Sequence, residues 1–461
     1  MNRFVVLILL LISAVAASAQ PVTHHSDWPK YCSDLSNTGV AASGGPISRD
    51  TAGMLRLLWS APLAGPIASS PTIVNDVLYV GDWSGFEYAF DSGTGNLRGV
   101  ADLGTTMSAA CVPDVIGITS APNVVGDTVY VAGGDDSFYA LDATTLEVKW
   151  KRFLGDNSVK GGYYGWCSPT VLEGRVLQGV ASNCDNPFVP GRLVALDAAT
   201  GEKTDEAYFI QPVGDERRIL GAGVWTSPAV DLDARDLFVT VGSSDDSAAG
   251  YTNSMVRLSL DTLRIEEGWK VDTSIVDADW GSSPTLFTDL RGRRLVGAGQ
   301  KDGQYYAFER DNVSDGPIWR TPLAVGGPCP TCGEGILSTA AFDGNRLYVG
   351  SGQPFGLSNH GAISALDPTN GDVLWQLPVD GAVIAPVSYA NGVVFTTAGR
   401  HAYALDADSG EVLWRVTTPA NCVGGIAITD EGIFFGDLSG RVYAYAVTPA
   451  APARTRAVRT R

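Results

Sequence analysis

Residues 401–414 read HAYALDADSGEVLW. Apolar and polar side chains alternate through Ala402-Tyr403-Ala404-Leu405, an Asp/Ser/Gly cluster follows, and a second apolar run ends in Trp414. Alternation, turn residues and renewed alternation predict a β-hairpin. Nearly the same words recur in FYALDATTLEVKW, residues 138–150, and AISALDPTNGDVLW, residues 362–375. Weaker copies lie at 87–97, 193–203, 256–269, 305–319 and 442–447. A unit repeated at roughly 40 to 60 residues marks a repeat architecture, which overrides a domain count taken from length.

Each unit opens on a Ser/Ala-Pro step, seen at Ser70-Pro71, Ala121-Pro122, Ser168-Pro169, Ser227-Pro228, Ser283-Pro284 and Ala385-Pro386, with variants at Ser338-Thr339 and Gly425-Ile426. A short strand, a turn, a second strand and the hairpin follow. Four strands per unit and about eight units predict an all-β, eight-bladed β-propeller of four-stranded antiparallel blades. Insertions in the third to sixth units leave six or seven as the competing counts. The first unit, residues 54–63, has only an outgoing strand, and the last, 426–447, lacks one. Pairing the N-terminal strand with the C-terminal blade closes the ring and removes its exposed sheet edges. Trp59, Trp150, Trp269, Trp319, Trp375 and Trp414 are expected to dock on neighbouring blades rather than on a ligand. The insertions 183–190, 243–252, 326–335 and 353–360 follow comparable strands, so they are expected on one face, where function concentrates.

Residues 1–19 combine Arg3, a long apolar run and Ala17-Ser18-Ala19, the pattern of a cleaved secretory signal peptide. The expected organisation is then an extended leader over 20–48, a propeller over 49–449 and a disordered basic tail over 450–461. No other segment is long and apolar enough to span a membrane once the signal is removed, and the protein is expected to be secreted or periplasmic. A net charge of −18 argues against a nucleic-acid partner. Seven cysteines in an exported chain are expected to be largely bridged. Cys167 and Cys184 flank a hairpin and could pair across it, Cys329 and Cys332 could close a small ring, and the odd count leaves one thiol over.

The pattern in ALDADSGEVLW and ALDPTNGDVLW resembles the tryptophan-docking repeat of the quinoprotein propeller superfamily, which includes the pyrroloquinoline quinone (PQQ)-dependent alcohol dehydrogenases and the assembly lipoprotein BamB. SDWPKYCSDLSNTGV near the N-terminus, GAGVWTSPAVD at 221–231, DADWGSSPTLF at 277–287 and QKDGQYYAFER at 300–310 are similar to the polyvinyl-alcohol dehydrogenase branch. The resemblance implies a quinone in the central funnel, stacked on a floor tryptophan and bridged to Ca²⁺, with a catalytic Asp and a cation near the quinone oxygens.

Carried over residue by residue, Trp225 takes the floor position and Lys301 that of the cation. Asp185, Asn186 and Ser243 fall at or beside the metal positions. Asp245 and Asp246 lie in the loop of the catalytic Asp, whose own position is near Ala248. Cys111, after Ala110, falls on half of the cysteine pair that roofs the quinone, Ile116 replaces an Arg, and Trp280 is a further candidate facing the cofactor. Asp277 and Asp279, before Trp280, are a second carboxylate pair, expected to serve a turn at a strand end. Ser243 and Asn186 offer only neutral oxygens to a cation that prefers carboxylates. Cys329-Pro-Thr-Cys332 is followed by Gly333, not the His that haem attachment needs, so no haem is expected and electrons would pass to a separate cytochrome or other acceptor. Two readings follow: a PQQ-dependent oxidoreductase acting on small or polymeric alcohols, or a cofactor-free scaffold binding a protein or polysaccharide.

Overall fold

The computed structural model describes residues 27–107, 115–210, 220–272, 275, 277 and 279–447. The signal segment and the basic tail lie outside these residues. Eight antiparallel sheets follow one another in sequence. Blades 1 to 7 span 72–102, 123–153, 170–208, 229–270, 285–322, 341–379 and 388–417. Blade 8 takes its three inner strands from 427–447 and its outermost from Leu55–Pro62, which pairs antiparallel with Arg441–Val447. The ring therefore closes as the sequence predicts, with eight blades. Among the described residues helix is confined to three 3-10 turns, and no helix is long and apolar enough to cross a membrane.

Because the strands alternate in direction, the turns between second and third strands share a face with the connections between blades. This is called the upper face below. All four insertions noted above lie on it.

The outer wall is held by the repeated tryptophans. Trp59, Trp150, Trp319 and Trp375 donate their indole N–H to Ser92, Ala198, Pro368 and Ala407 carbonyls of the next blade, at 2.7, 3.0, 3.2 and 3.0 Å. Each lies flat against a turn glycine; a Cβ on Gly201 would sit 2.4 Å from the Trp150 ring. Trp414 meets Tyr445 of blade 8 edge-on. Trp269 departs from the expectation. The docking position opposite Arg257 is filled by Glu267, and Trp269 lies two residues further along, against Tyr306 and Phe308 of blade 5.

The junction of blades 1 and 2 inverts the device. Gly99 takes the tryptophan position opposite Ala89, while Leu146 takes the turn-glycine position. Leu146 is buried at φ 58° and fills the volume the missing indole leaves.

The Ser/Ala-Pro steps bind the blades near the axis. The backbone N–H groups of Ala121, Ser168, Ser227 and Ser283 donate to hydroxyls of Ser168, Ser227, Ser283 and Thr339, each on the next blade. Gly425 does the same to Ser70 across the closure, at 2.8 Å. Two residues on, Thr72, Thr170 and Thr285 donate to carbonyls of the following blade.

The leader is not extended over the residues described. Residues 27–41 wind inside the lower mouth of the ring. Their carbonyls accept the inner-strand N–H groups of Ile73, Val124, Val230, Leu286, Phe342 and Tyr389. Asn37, fully buried, donates to the Ser227, Pro228 and Pro284 carbonyls. Lys30 holds that amide at 2.7 Å, and burial lowers the pKa of its ammonium to about 8.

Glu87 breaks the pattern of the core. It occupies an inward position of blade 1 where blade 2 has Phe138, is fully buried, and neither carboxyl oxygen has a hydrogen-bond partner. Burial, then the nearby Asp82, raises its pKa well above the usual range, so it is folded as the neutral acid.

Two predictions follow from these packings. Gly99→Trp and Leu146→Gly should each destabilise, by about 1–3 kcal/mol from overpacking or from a cavity partly offset by relief of the positive φ. The double variant should be more stable than their sum predicts by about 1 kcal/mol or more, read from a denaturation double-mutant cycle. For Glu87, a folded pKa above the unfolded one means the group's full stability is present below the unfolded value and declines as pH rises, at about 1.4 kcal/mol per pH unit. Glu87→Gln should therefore match the parent near pH 4 and exceed its melting temperature increasingly towards pH 8; parallel pH profiles of the two proteins would contradict this.

Candidate active site

Five upper-face segments of blades 3 to 5 converge on the mouth of the axis. Asp185 comes from the second-to-third-strand turn of blade 3, and Trp225 from the connection between blades 3 and 4. Ser243 follows the second strand of blade 4, Asp277 and Asp279 belong to the connection into blade 5, and Lys301 opens a tight turn in blade 5. That turn is set by Gly303 at φ 86°, whose N–H returns to the Gln300 carbonyl at 3.0 Å. Gly242 matters for a different reason: a Cβ there would stand 3.2 Å from Asp279 Oδ1 and 3.5 Å from the Trp225 ring. Its hydrogen lets the carboxylate and the indole approach each other.

The Lys301 ammonium sits 2.9 Å from Asp277 Oδ2 and 3.2 Å from Asp279 Oδ2, and 5.8 Å from the centroid of the Trp225 ring. The Lys301 N–H also donates to the Asp279 carbonyl at 3.0 Å. Ser243 ties the other carboxylates together, donating its N–H to Asp279 Oδ1 and its hydroxyl to Asp185 Oδ2, the latter at 3.3 Å. Asp185, Asp277 and Asp279 each present an oxygen within 4.8 Å of the others.

Three carboxylates against one ammonium leave negative charge in excess. Burial, then Asp279 and Asp277, push Asp185 up to about 7. Asp277 is raised too, because burial and Asp279 outweigh its contact with Lys301. Burial pulls on the Lys301 proton, but Asp279 and Asp277 hold its pKa above the usual lysine value. The ammonium is thus permanently charged, while the carboxylates share a surplus that a further cation would relieve.

Of the residues predicted from sequence, Trp225, Lys301, Asp185 and Ser243 come together. The others do not. Asp245 and Asp246 are exposed and outside the cluster: Asp245 accepts from the Leu220 N–H of the connection between blades 3 and 4, and Asp246 from the Ala248 N–H of its own loop. Asn186 follows Asp185 but is exposed and takes no part in the hydrogen bonds that join the cluster. Trp280 is fully buried against Tyr306 and Phe308, so it belongs to the core between blades 4 and 5 rather than to the funnel. Cys111 lies outside the described residues. Asp277 and Asp279, expected to serve a turn, supply two of the three carboxylates. Their D-x-D spacing just ahead of the Ser-Pro step of blade 5 was the available signal.

Cys329 and Cys332 form the predicted small disulfide ring. It lies in the connection from blade 5 to blade 6, which packs against Lys301 through Gly327 N–H to the Lys301 carbonyl and Ile336 N–H to that of Gln300. The proposed pairing of Cys167 with Cys184 does not occur: Cys184 is disulfide-bonded, while Cys167 is a buried free thiol, as are Cys32 and Cys422.

Fold and site together define an eight-bladed, tryptophan-docked propeller with the Trp225 indole, the Lys301 ammonium and a carboxylate cluster at its upper mouth. The family profile described as outer membrane protein assembly factor BamB, PQQ_2, matches residues 56–244 and 301–450, and the chain belongs to that family. It is 24% identical over 455 residues to a polyvinylalcohol dehydrogenase of Pseudomonas sp, covering 85% of this chain and 68% of that one. Against a polyvinylalcohol dehydrogenase of Sphingopyxis sp. (strain 113P3) it is 24% identical over 437 residues, with 80% and 64% covered. The chain thus spans about two thirds of the length of these relatives. Among solved structures it is similar to a quinohemoprotein alcohol dehydrogenase from Pseudomonas putida HK5, with TM-score 0.76, 17% identity, and 95% of this chain and 82% of that one covered. The expected membership in the quinoprotein propeller superfamily is borne out.

Removing the ammonium should expose the cost of the cluster. Lys301→Met leaves the buried Asp279 without its cation and should destabilise by roughly 3–5 kcal/mol in chemical denaturation. Adding Asp279→Asn should recover part of that loss; a Lys301→Met protein as stable as the parent would show that the pairing is not what holds the cluster.

Proposed function

We propose that this chain is an exported, PQQ-dependent oxidoreductase of the alcohol-dehydrogenase type, passing electrons to a separate acceptor. The observation that carries this reading is the convergence of Trp225, Lys301, Asp185, Asp277 and Asp279 at one mouth of a closed ring. Export is supported by the apolar leader 1–19, and an alcohol substrate by the names of the relatives.

The residues present fit a flat, anionic cofactor and a hard cation. Trp225 is half-buried, and its indole nitrogen is buried with no partner, so the side chain is held as a platform rather than engaged as a donor within the ring. Three carboxylates and the Ser243 hydroxyl form an all-oxygen donor set suited to Ca²⁺. Burial first, and then the neighbouring Asp279 and Asp277, raise Asp185 to about 7, and a cation bound among these carboxylates would offset their mutual repulsion. When bound, PQQ supplies the two-electron acceptor and the cation supplies Lewis acidity.

The chain itself supplies position and proton handling. Trp225 would hold a flat ring, and the Lys301 ammonium, 5.8 Å from the Trp225 ring, would offset negative charge developing on such a ring. Asp277 and Asp279 orient that ammonium. A carboxylate of the cluster not engaged by the cation would accept the alcohol's hydroxyl proton, since a base must stand within hydrogen-bond reach of the proton it takes. The ring keeps the platform dry from below, because the leader fills the lower mouth up to Ser227, two residues beyond Trp225.

The test is reconstitution. Purified apoprotein loaded with PQQ and Ca²⁺ should gain cofactor absorbance and reduce a dye in the presence of primary or secondary alcohols. Trp225→Ala and Lys301→Ala should each abolish dye reduction, whereas Asp245→Asn and Asp246→Asn should retain it. Absence of both bound cofactor and turnover in the parent protein would leave the scaffold reading in its place.

A further inference from the structure

The connection from blade 5 to blade 6 makes an excursion whose two ends both rest on the Lys301 turn. At one end the Gly327 N–H donates to the Lys301 carbonyl at 2.9 Å, and at the other the Ile336 N–H donates to the Gln300 carbonyl at 3.1 Å. Gly335, at φ 71°, comes so close that a Cβ there would stand 2.6 Å from Lys301 Cα. Between these ends the chain turns through Pro330–Cys332, and the Cys329–Cys332 disulfide closes the turn. The Cys329 carbonyl accepts the N–H groups of Cys332 and Glu334, at 2.9 and 3.2 Å, and the Glu334 carboxylate accepts the Cys329 N–H at 2.8 Å. Blade 6 holds the far side: Gln353 N–H donates to the Gly333 carbonyl at 2.6 Å, and Gly352 N–H to that of Gly335 at 2.9 Å.

We propose that this disulfide is a reducible latch on the Lys301 turn. Closed, it fixes the two ends that brace Lys301. Opened to two thiols, it loosens them and weakens the hold of Asp185, Asp277 and Asp279 on a cation. Position is the first support: the braced residue carries the ammonium that stands 2.9 Å from Asp277 and 3.2 Å from Asp279, so a shift of its backbone alters the charge balance of the cluster directly. Access is the second. Cys332 is exposed and Cys329 half-buried, and exchange requires that a thiolate reach a sulfur. Span is the third. A bridge across only two residues constrains the unfolded chain less than a longer loop would, so what it orders is local.

Opening is a two-electron, two-proton exchange with a dithiol. One thiolate of the reagent attacks a sulfur of the pair, and the other sulfur leaves and takes up a proton. The reagent's second thiol then displaces the remaining half. The dithiol departs as its own disulfide, and Cys329 and Cys332 are left as two thiols. Their Cα atoms stand 5.2 Å apart in a turn with its own hydrogen bonds, so the thiols stay close and an oxidant restores the bridge.

The experiment uses the full chain without cofactor, before and after dithiothreitol, with alkylation and mass analysis counting the thiols at 329 and 332. Hydrogen exchange is the first readout and stands apart from the function proposed above. Reduction should speed exchange in peptides covering 325–336 about tenfold or more and leave those of blade 7 unchanged. Cys184 is also bridged, so the double variant Cys329→Ser, Cys332→Ser is the control. Without reductant it should exchange like the reduced parent, and dithiothreitol should change nothing further over 325–336; the reduced parent carries the same test if the variant fails to fold. The second readout, calorimetric titration with Ca²⁺, rests on the cation reading. Reduced parent and double variant should each bind about fivefold or more weakly than the oxidised parent. A pair that stays bridged in the folded protein under dithiothreitol, or that opens with no change in exchange or in Ca²⁺ affinity, overturns the proposal. A double variant whose Ca²⁺ affinity still falls with dithiothreitol would assign the effect to the Cys184 bridge and overturn it as well. A parent protein that binds no Ca²⁺ but shows the change in exchange would keep the latch on the turn and remove the cation reading.

Discussion

A closed ring of sheets leaves the inner edge of every blade facing the axis, and the backbone groups on that edge are buried whether or not they find partners. An unpaired buried N–H costs about 1–3 kcal/mol, so a channel lined by such edges is affordable only if something answers them. Here three devices divide the axis by height. The leader coils through the lower mouth and accepts the inner-strand N–H groups with its own carbonyls. Above it, Ser and Thr hydroxyls accept N–H groups from one blade to the next. At the upper mouth the fold presents side chains instead, among them an indole nitrogen with no partner and a surplus of carboxylate charge. The upper mouth thus carries an unpartnered indole nitrogen beside a cluster of three carboxylates.

The cluster itself is costly and needs a rigid support. Asp185, Asp279 and Lys301 stand on segments of blades 3 to 5, and Gly242 leaves room beside Asp279 and Trp225, where a Cβ would stand 3.2 Å from the carboxylate. Flexible loops could not hold three carboxylates within 4.8 Å of one another against their repulsion. The ring can, because each loop is rooted in a four-stranded sheet latched to its neighbours on both sides. The disulfide-closed connection from blade 5 adds a backbone brace to the Lys301 turn. Charge excess is then a property of the position, not of any one residue, and Lys301 offsets only part of it.

The repeat made the fold legible. HAYALDADSGEVLW contains the strand alternation, the turn and the docking indole, and recurrence of that unit supplied the blade count and the closure. Trp225 and Lys301 were placed by the family resemblance rather than by the repeat, and both stand at the upper mouth within 5.8 Å of each other. The carboxylates were harder, since they lie in connections where the repeat imposes no register. Asp245 and Asp246 stand in the expected loop, yet the N–H of Leu220 from the preceding connection and that of nearby Ala248 engage their side chains. Asp277 and Asp279 looked like turn residues, and only the approach of blade 5 to blade 4 brings them onto Lys301. Trp280 was misread for the opposite reason: it is packing, although its sequence neighbours are chemistry. Cys167 shows the limit of spacing arguments, because flanking a hairpin does not bring two thiols together.

Where the docking motif fails is informative in its own right. Gly99 replaces the indole at the junction of blades 1 and 2, Asp205 at that of blades 3 and 4, and Glu267 at that of blades 4 and 5. Each failure is compensated locally. Leu146 fills the first gap, Arg175 bridges Asp205 to the Leu260 carbonyl of blade 4 at the second, and Arg257 pairs with Glu267 at 2.7 Å at the third. The connections that cross the second and third of these junctions carry Trp225, and Asp277 with Asp279. Blades 2, 5, 6 and 8 keep the docked indole with its hydrogen bond, and blades 6 to 8 contribute none of the clustered residues. A docked indole fixes the spacing between two blades, and with it the path of the segment passing over them. Trp225, Asp277 and Asp279 thus stand on connections that cross junctions without a docked indole, whereas Lys301 comes from blade 5, whose Trp319 docks on blade 6.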